Sequence, residues 1–455
     1  MHTGSQQASV VGNSLYDQVK EKLEQGLFPQ WIQTDPQIYD LEIKNIFGRT
    51  WQFLGHESEL KKPGDFVTRW MVNDPVLLVK NEQGEIKAFL NSCTHRGTHL
   101  CTADFGNRKT FTCPFHGWSF NLDGELIGIV AGNKIYGEAM DKSEWGLRPI
   151  PRVESYRGLI FGSLDPNVMP LEEYLGGLKW YWDIFLTRSD GGMEVRGVPH
   201  RWVVNTNWKM TLENFGGDPY HVPTSHKSTV ELGISPSHPL YSSFGHQVVL
   251  EHGHCVNVNV AAPGSSSPPY QGLPEEMWPM FERNLTKEQL EIFKKCTVIV
   301  GSCFPSLSFH CPIHGSEGHL HNYLTLRVWR PLGPTKVEIW SWFLIDKSAP
   351  EEYKEAAYKG YISSFGPSGT LEQDDTEIWV RVADASKASM ARDKQLNYNN
   401  LLNYMMGMGK IEPDETFPGP GTAYPTCYVD YAFRGIHKYW FELMAEDLKK
   451  IPVQA

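Results

Sequence analysis

The chain is poor in cysteine and has no long apolar run. Eight cysteines in 455 residues are too few for the disulfide framework of a small secreted protein. No stretch of about 18 apolar residues is present to cross a bilayer. The first residues show neither the basic start nor the apolar run of a secretory signal. We therefore expect a cytoplasmic protein without a membrane partner, whose cysteines are free thiols or metal ligands.

Positive charge is also scarce. Lysine and arginine number 42 against 53 aspartates and glutamates, which gives a net charge of -11. An acidic chain repels phosphate backbones, so a nucleic-acid partner is not expected. The chain has no Gly-rich dinucleotide fingerprint, and NADH is therefore not expected to bind to it directly. Its length predicts two domains, or one large domain with an insert.

The pattern of apolar runs and turn residues changes along the chain. From about Trp51 to Leu164, short apolar runs alternate with Gly, Asn and Asp turns, which predicts an all-β domain. Beyond Pro166 the pattern is mixed. Strands are predicted at His200–Val204 and within 324–345, and helices around 209–221, 286–295, 350–363, 371–382 and 430–449.

Two Cys/His pairs lie within the predicted all-β segment, Cys93-Thr-His95 and Cys113-Pro-Phe-His116. Four mixed ligands suit either a zinc site or an iron–sulfur cluster. The Cys-x-His spacing is tight for a zinc finger. One Cys and one His in each loop allow both thiolates to bind one iron and both imidazoles the other, as in a Rieske [2Fe–2S] cluster. Cys101 lies outside this pattern, and we expect it to be structural.

A second group of possible ligands lies in the segment from Asn214 to His226. On a helix, Asn214, Asp218 and His221 fall on one face. Pro223 is expected to break that helix, so that His226 turns back toward His221. Two imidazoles and one carboxylate form the ligand set of a mononuclear non-haem iron with open coordination positions.

The carboxylate of this set is expected from a predicted helix that contains Asp374 and Asp375. Asp375 shares the apolar face of the helix with Leu371, Ile378 and Trp379. A metal ligand must point inward, which favours Asp375. Asp374 lies on the opposite face, and we expect it to be an exposed surface acid.

Together these motifs resemble one family, the large (α) subunits of Rieske non-haem iron aromatic-ring-hydroxylating dioxygenases. The likeness rests on CTHRG, CPFHGW, NFGGDPYH-x4-H and FGPSGTLEQDD, in that order. FLGHESEL, RGLIFGSLDP and NYLTLRVWRPLGP are most similar to the actinobacterial naphthalene and polycyclic-hydrocarbon enzymes. The resemblance implies an α+β fold. An all-β Rieske domain (50–168) is inserted into a larger catalytic domain (1–49 and 169–455) with an antiparallel sheet flanked by helices, a helix-grip-like arrangement.

The resemblance also implies roles for the predicted ligands. The [2Fe–2S] cluster is assigned to Cys93 and Cys113 at one iron, and to His95 and His116 at the other. The mononuclear Fe(II) is assigned to His221, His226 and Asp375. Asp218 would bridge His221 to His116 of a neighbouring subunit, which implies a ring of three α subunits, usually with three small β subunits. NADH would supply electrons only through a separate reductase and ferredoxin.

The activity implied is that of a terminal oxygenase component, which uses O₂ to cis-dihydroxylate an aromatic ring, here a polycyclic or other hydrocarbon. A Rieske monooxygenase or demethylase, or a dioxygenase of an aromatic carboxylate such as phthalate, remains the alternative. A pure electron-transfer Rieske protein would lack the mononuclear iron. A zinc-stabilised nucleic-acid binder is disfavoured by the negative charge.

The resemblance also implies which residues surround the substrate. The expected pocket residues are largely apolar, which suits a hydrocarbon: Asn214, Phe215, Val222, Leu307, Phe309, His310, Phe365 and Leu371. His310 could instead help to hold a carboxylate. The other histidines outside the two motifs, His314 among them, are expected to be mostly structural. Pro219 is expected to kink the ligand helix just before His221.

Overall fold

The structure is a computed structural model that describes residues 14–137, 139–232, 241–265, 267–314, 320–390 and 401–452. The first 13 residues of the predicted segment 1–49 and the last three of 169–455 lie outside these ranges. Within them, none of the helices combines the length and the hydropathy that a membrane crossing requires.

The strands are mostly short before residue 170 and longer in the sheet that follows. They are β1 (Leu27–Pro29), β2 (Gln52–His56), β3 (Asp65–Met71), β4 (Asp74–Lys80), β5 (Ile86–Leu90), β6 (Phe105–Asn107), β7 (Phe111–Thr112), β8 (Ser119–Phe120), β9 (Leu126–Gly128), β10 (Arg152–Tyr156), β11 (Leu159–Ser163), β12 (Met193–Val195), β13 (His200–Val204), β14 (Gly245–Val249), β15 (Cys255–Val260), β16 (Cys296–Cys303), β17 (Leu307–Cys311), β18 (Ile313–His314), β19 (His321–Asn322), β20 (Leu324–Gly333), β21 (Lys336–Asp346), β22 (Leu401–Asn403) and β23 (Thr422–Tyr424).

The α-helices of the described residues lie mostly after residue 170. They are α1 (Leu15–Glu24), α2 (Pro36–Glu42), α3 (Gly132–Ile135), α4 (Leu171–Leu175), α5 (Leu178–Leu186), α6 (Trp208–Gly217), α7 (Val222–Ser225), α8 (Lys227–Glu231), α9 (Trp278–Asn284), α10 (Lys287–Lys295), α11 (Glu351–Phe365), α12 (Thr370–Ala385) and α13 (Tyr431–Leu448).

Between residues 50 and 168 the chain forms three small antiparallel sheets. Their strand orders are β5-β4-β3-β6, β7-β8-β9 and β10-β11-β2. Residues 76–79 of β4 form an unbroken apolar run, because both faces of this strand are covered by other apolar side chains. Leu77 and Val79 pack in one apolar cluster, whereas Val76 and Leu78 pack in another. The predicted all-β character of this segment is confirmed.

The larger part is built on a nine-stranded antiparallel sheet. Its order is β12-β21-β20-β17-β16-β15-β14-β23, and β13 also pairs with β21. Helix α6 packs across β15, β16, β17 and β20, and α13 packs on α6. The predicted antiparallel sheet flanked by helices is therefore confirmed. The sheet packs against one side of α6. His221 and His226 follow a few residues beyond the end of that helix.

The N-terminal helices pack on this larger part of the chain. Strand β1 pairs with β22, and the Leu15 backbone N–H donates to the Ile451 carbonyl. Asp35 caps α2 by accepting from the Gln37 and Ile38 N–H groups, as its position before Pro36 suggests. Residues on both sides of the all-β segment thus share one core.

The predicted helix 209–221 is wrong at its C-terminal end. Helix α6 ends at Gly217, and Asp218 has non-helical torsion angles of φ -114° and ψ 58°. The physical reason is Pro219, whose ring disfavours the helical conformation in the residue before it. Pro219 therefore kinks no helix, because the helix has already ended. Pro223 does not break a helix either, since it occupies the first turn of the short α7.

A buried ion pair gives a test of this architecture. Arg188, just after the end of α5, and Asp346, at the end of β21, are both fully buried. Arg188 Nη2 and Asp346 Oδ2 lie 2.6 Å apart. We expect Arg188→Met to lower the free energy of unfolding by about 3–5 kcal/mol, because it leaves a buried carboxylate without its counterion. Arg283→Met is the control, since the Arg283–Asp190 pair is exposed and should contribute less than about 1 kcal/mol. Chemical denaturation measures both; equal losses would contradict the prediction.

Candidate metal centres and the adjoining cavity

The two Cys/His loops have the same backbone closure. In the first, the Gly97 N–H donates to the Cys93 carbonyl at 2.8 Å, and the Cys93 N–H donates to the Thr98 carbonyl. In the second, the Gly117 N–H donates to the Cys113 carbonyl at 3.0 Å, and the Cys113 N–H donates to the Trp118 carbonyl. Both glycines have left-handed φ values, +73° and +70°, which favour glycine over residues with a side chain. Each loop thus presents its Cys and His from a matching turn.

The side chains of these loops bring two thiols and two imidazoles together. Cys93 and Cys113 are buried. Burial raises the pKa of the Cys93 thiol, and the adjacent Cys113 raises it further. The rings of His95 and His116 are 4.6 Å apart between centroids, and the Nδ1 atom of each is buried without a hydrogen-bond partner. Two thiols and two unpartnered imidazole nitrogens fit a Rieske-type [2Fe–2S] cluster.

Aromatic and apolar side chains surround this cluster site. His95 stacks on Trp118 with centroids 4.6 Å apart and an interplanar angle of 13°. On the outer side, Phe115 contacts the His116 ring and Val130 lies against Gly117. Their exposed fractions are 59% and 66%. We call Phe115 and Val130 the cluster rim. The cluster site therefore reaches an exposed apolar surface beside His116.

The second predicted donor set is also brought together. His221 and His226 Nε2 atoms lie 3.2 Å apart, and each lies 3.2 Å from Asp375 Oδ1. His221 directly precedes α7, His226 directly follows it, and Asp375 lies on α12. Asp375 and His226 are buried. Three donor atoms that converge in this way could hold one metal ion, and two imidazoles with one carboxylate fit mononuclear non-haem iron.

Two further carboxylates fix the orientation of the imidazoles. His221 Nδ1 donates to the Asp218 backbone carbonyl and lies 3.4 Å from Asp218 Oδ2. His226 Nδ1 lies 3.3 Å from Asp374 Oδ2, which also accepts from the Ser228 hydroxyl. A proton held on Nδ1 leaves the Nε2 lone pair free for a metal. The expectation that Asp374 is merely an exposed acid is therefore wrong, because His226, which follows α7, lies against the Asp374 carboxylate on α12.

The charges at this site are strongly coupled. Burial alone would raise the pKa of Asp375, but the imidazoles of His226 and His221 outweigh it and lower the pKa. Burial would likewise lower the pKa of His221, but Asp218 and Asp375 outweigh it and raise that pKa. The buried carboxylate is thus stabilised as an anion, which is the form that a metal ion requires of its ligand.

A cavity of about 410 Å³ adjoins the three donor residues. Its lining is mainly apolar and includes six of the eight predicted pocket residues: Asn214, Phe215, Val222, His310, Phe365 and Leu371. Among the described lining residues there is neither a lysine nor an arginine. The cavity is thus suited to an uncharged apolar molecule.

Leu307 and Phe309 do not line the cavity, and their prediction as pocket residues is wrong. Side chains alternate along β17, so Leu307 and Phe309 face away from the side to which His310 points. Both are buried in the core, where Phe309 packs against Trp182 and Phe185.

Several cavity residues were not predicted from the sequence. His314, expected to be structural, lines the cavity together with residues of the 259–268 segment and of β16: Asn259, Val260, Ala261, Ala262, Ser265, Ser267, Pro268, Thr297, Val298 and Val300. The Ser- and Pro-rich composition of residues 261–269 indicates a loop or part of a lid, but it does not indicate which site the segment adjoins.

Comparisons with known proteins agree with this geometry. Residues 50–139 match the Rieske [2Fe-2S] domain family, and residues 171–406 match the ring hydroxylating alpha subunit (catalytic domain) family. The chain is 42% identical to naphthalene 1,2-dioxygenase from Rhodococcus sp. bound to indole, with a TM-score of 0.90, over 94% of this chain and 99% of that one.

Two curated relatives are similar over most of their length. Benzene 1,2-dioxygenase subunit alpha of Pseudomonas putida is 34% identical over 91% of this chain and 90% of its own. N,N-dimethyl phenylurea N-demethylase subunit alpha of Sphingobium sp. (strain YBL2) is 31% identical over 96% and 95%. The chain belongs to the alpha subunits of the Rieske non-haem iron aromatic-ring-hydroxylating dioxygenases, whose cofactors are a [2Fe–2S] cluster and a mononuclear iron.

Proposed function

We propose that this chain is the catalytic subunit of an oxygenase that cis-dihydroxylates an aromatic hydrocarbon. The reaction joins the arene, O₂, two electrons and two protons into one cis-dihydrodiol. The observation that carries the proposal is the position of His221, His226 and Asp375 at the wall of a mainly apolar cavity. The substrate class is supported by the names of relatives that act on naphthalene, benzene and biphenyl.

Each residue of the site has a part in this reaction. His221, His226 and Asp375 would hold the mononuclear iron, which supplies the activation of O₂. Asp218 and Asp374 keep the two imidazoles in the tautomer that binds a metal. Phe215, Phe365 and Leu371 bind the arene by apolar contact and exclude water from the ring that reacts. Asn214 Nδ2 lies 3.4 Å from His221 Nδ1 and borders the cavity.

Cys93, His95, Cys113 and His116 would bind the [2Fe–2S] cluster, which stores the electrons one at a time. We propose that Asp218 links His221 to His116 of the partner subunit. The exposed surfaces support this assignment. The cluster rim is apolar beside His116, and Tyr220 next to His221 is 58% exposed. Contact between two such surfaces would bury both in a ring of subunits.

The proposal includes partner proteins. A ferredoxin and a ferredoxin reductase would carry electrons from NADH. The subunit-alpha names of the relatives support the presence of a second kind of subunit. We propose that it is a small β subunit and that three α and three β chains assemble. All eight cysteines are buried and none forms a disulfide, which fits the reducing cytoplasm as the site of action.

An N-demethylase is the second candidate, because one relative that covers 96% of this chain bears that name. It would use the same two metal centres and a different substrate. A dioxygenase of an aromatic carboxylate such as phthalate is the other alternative. It is disfavoured because the described cavity lining offers no cationic side chain to pair with the carboxylate.

Product analysis distinguishes these reactions. The purified oxygenase, with a ferredoxin and a reductase, is supplied with ¹⁸O₂ and with naphthalene, phenanthrene, biphenyl or phthalate. We expect a hydrocarbon cis-dihydrodiol in which both oxygens carry the label. A product with one labelled oxygen, or turnover of phthalate alone, would contradict the proposal. A parallel reaction with an N,N-dimethyl phenylurea tests demethylation through the release of formaldehyde.

Adjacent acids provide a matched test of the iron site. The wild type should contain about three irons per chain, two in the cluster and one mononuclear. Asp375→Ala should lose the mononuclear iron and contain about two. Asp374→Ala should keep a third iron with an affinity weakened about 10- to 100-fold, because Asp374 only orients His226. Metal analysis measures the content. A wild type with only two irons, or the reverse order of the two variants, would overturn the assignment.

If Asp218 carries electrons between the two centres, its replacement should lower turnover without changing the metal content. Asp218→Ala should keep the cluster absorbance and the third iron, because the backbone carbonyl that accepts from His221 Nδ1 remains, yet turnover should fall about 100-fold. Asp414→Ala, a control far along the chain whose carboxylate pairs with His246, should change neither. In single-turnover experiments the Asp218 variant should accept electrons into the cluster at the normal rate and fail to pass them on. Near-normal turnover would contradict the link.

A further inference from the structure

Two histidines lie together in the cavity without a role in the reaction described above. His310 on β17 and His314 on β18 both line it, and their ring centroids are 5.7 Å apart. The Phe365 ring contacts both, at 4.7 Å from His310 and 5.4 Å from His314. The two imidazoles therefore form one polar patch on an otherwise mainly apolar wall.

Neither imidazole has the partners that buried histidines elsewhere in the chain have. His254 bonds the Tyr174 carbonyl through Nε2 and accepts from the Phe304 N–H at Nδ1. His437 lacks a partner at Nδ1 but bonds Glu213 through Nε2 at 2.6 Å. Among the residues that the structure describes, by contrast, His310 and His314 bury their Nδ1 atoms without a hydrogen-bond partner. His310 is only 7% exposed. An unsatisfied polar group at such a position is costly, and it is stabilised when a ligand supplies the missing partner.

The charge around the pair limits what that ligand can be. Burial lowers the pKa of His314 to about 4 and also lowers that of His310, so both rings are neutral near pH 7. The nearby guanidinium of Arg327 is already paired with Glu372 and donates to the Phe365 carbonyl. A carboxylate would therefore find no free cation here, whereas a neutral imidazole offers one donor and one acceptor.

We propose that His310 and His314 form a hydrogen-bonding subsite for a neutral hydroxyl or ring N–H group on the aromatic substrate. The inference rests on the proposed function and narrows its substrate class to arenes that carry one uncharged polar group. An unsubstituted hydrocarbon would displace water from the pair and leave both imidazoles without a partner. The polar group would thus fix the position of the ring in the cavity, and the two histidines determine specificity.

Binding measurements with isosteric pairs test the subsite. Equilibrium dialysis of the metal-loaded enzyme, without reductant, compares 1- and 2-naphthol with 1- and 2-methylnaphthalene, in which a methyl group replaces the hydroxyl. We expect at least one naphthol to bind about three- to tenfold more tightly than its methyl counterpart, the effect of a net hydrogen bond. 1-Naphthoate is the charged probe, and it should bind more weakly than the naphthols.

Three variants assign that preference to the histidines. His310→Leu and His314→Leu should abolish the preference for naphthol, while His310→Gln, which keeps a donor and an acceptor, should restore much of it. Val298→Ala is the matched control, since Val298 lines the same cavity without a polar group; it should change both affinities alike and leave their ratio intact. Retained absorbance of the cluster shows that each variant is folded.

The outcomes separate this inference from the proposed function. Equal affinity for naphthols and methylnaphthalenes, a preference that survives both leucine variants, or tightest binding of naphthoate would overturn the subsite. If the enzyme still converts naphthalene to a doubly labelled dihydrodiol in that case, the proposed function stands. Failure of every neutral arene to bind would overturn both.

Discussion

Convergence of His221, His226 and Asp375 is the constraint on which the rest of the catalytic part depends. Three donor atoms 3.2 Å apart in a mostly buried site repel or desolvate one another unless their carriers are held rigidly. The histidines and Asp375 come from different parts of the chain. A buried ion pair anchors each of the two helices involved, α12 and α6. Glu372, one turn before Asp375, pairs with Arg327 of β20. Helix α6, which leads into the histidine segment, is held at its start by Lys209 and Glu42.

These anchors also shape the cavity. The Arg327 guanidinium lies 5.0 Å from the Phe215 ring and 5.3 Å from the Phe365 ring, so the same cation supports the helix of Asp375 and two walls of the pocket. In the middle of α6, Glu213 accepts from Tyr404 and His437. The metal site and the pocket are therefore parts of one packed unit, in which a change in one is transmitted to the other.

The two metal centres differ in their surroundings, and the difference matches their tasks. The cluster loops are small turns whose outer surface, the cluster rim, is apolar and exposed. Such a surface suits a protein contact. The mononuclear site instead adjoins a mainly apolar cavity whose lining includes Phe215 and Phe365. Electron delivery from outside and substrate binding inside thus use separate surfaces of the chain, with Asp218 and His221 at the proposed junction between them.

Local spacing in the sequence was sufficient for the cluster motif, for the two imidazoles and for the choice of Asp375 over Asp374 as the inward-pointing acid. These follow from turn chemistry and helix periodicity, which act over a few residues. The end of α6 at Gly217 also follows from a local rule, because Pro219 restricts Asp218, whereas the apolar spacing alone predicts a helix as far as residue 221. Strand alternation likewise separates His310 from Leu307 and Phe309 once the strand is recognised.

Only the tertiary structure decided which distant residues meet. The contact of Asp374 with His226, the contacts of Arg327 with Glu372 and Phe365, and the contact of Phe365 with His310 and His314 all join residues whose positions relative to one another depend on the packing of the sheet, the helices and the loops. No local pattern encodes that packing, because it is the free energy of burying the whole core that sets it. The sequence by itself determined the chemistry of the metal centres, and the fold determined the shape and the polar patch of the cavity beside them.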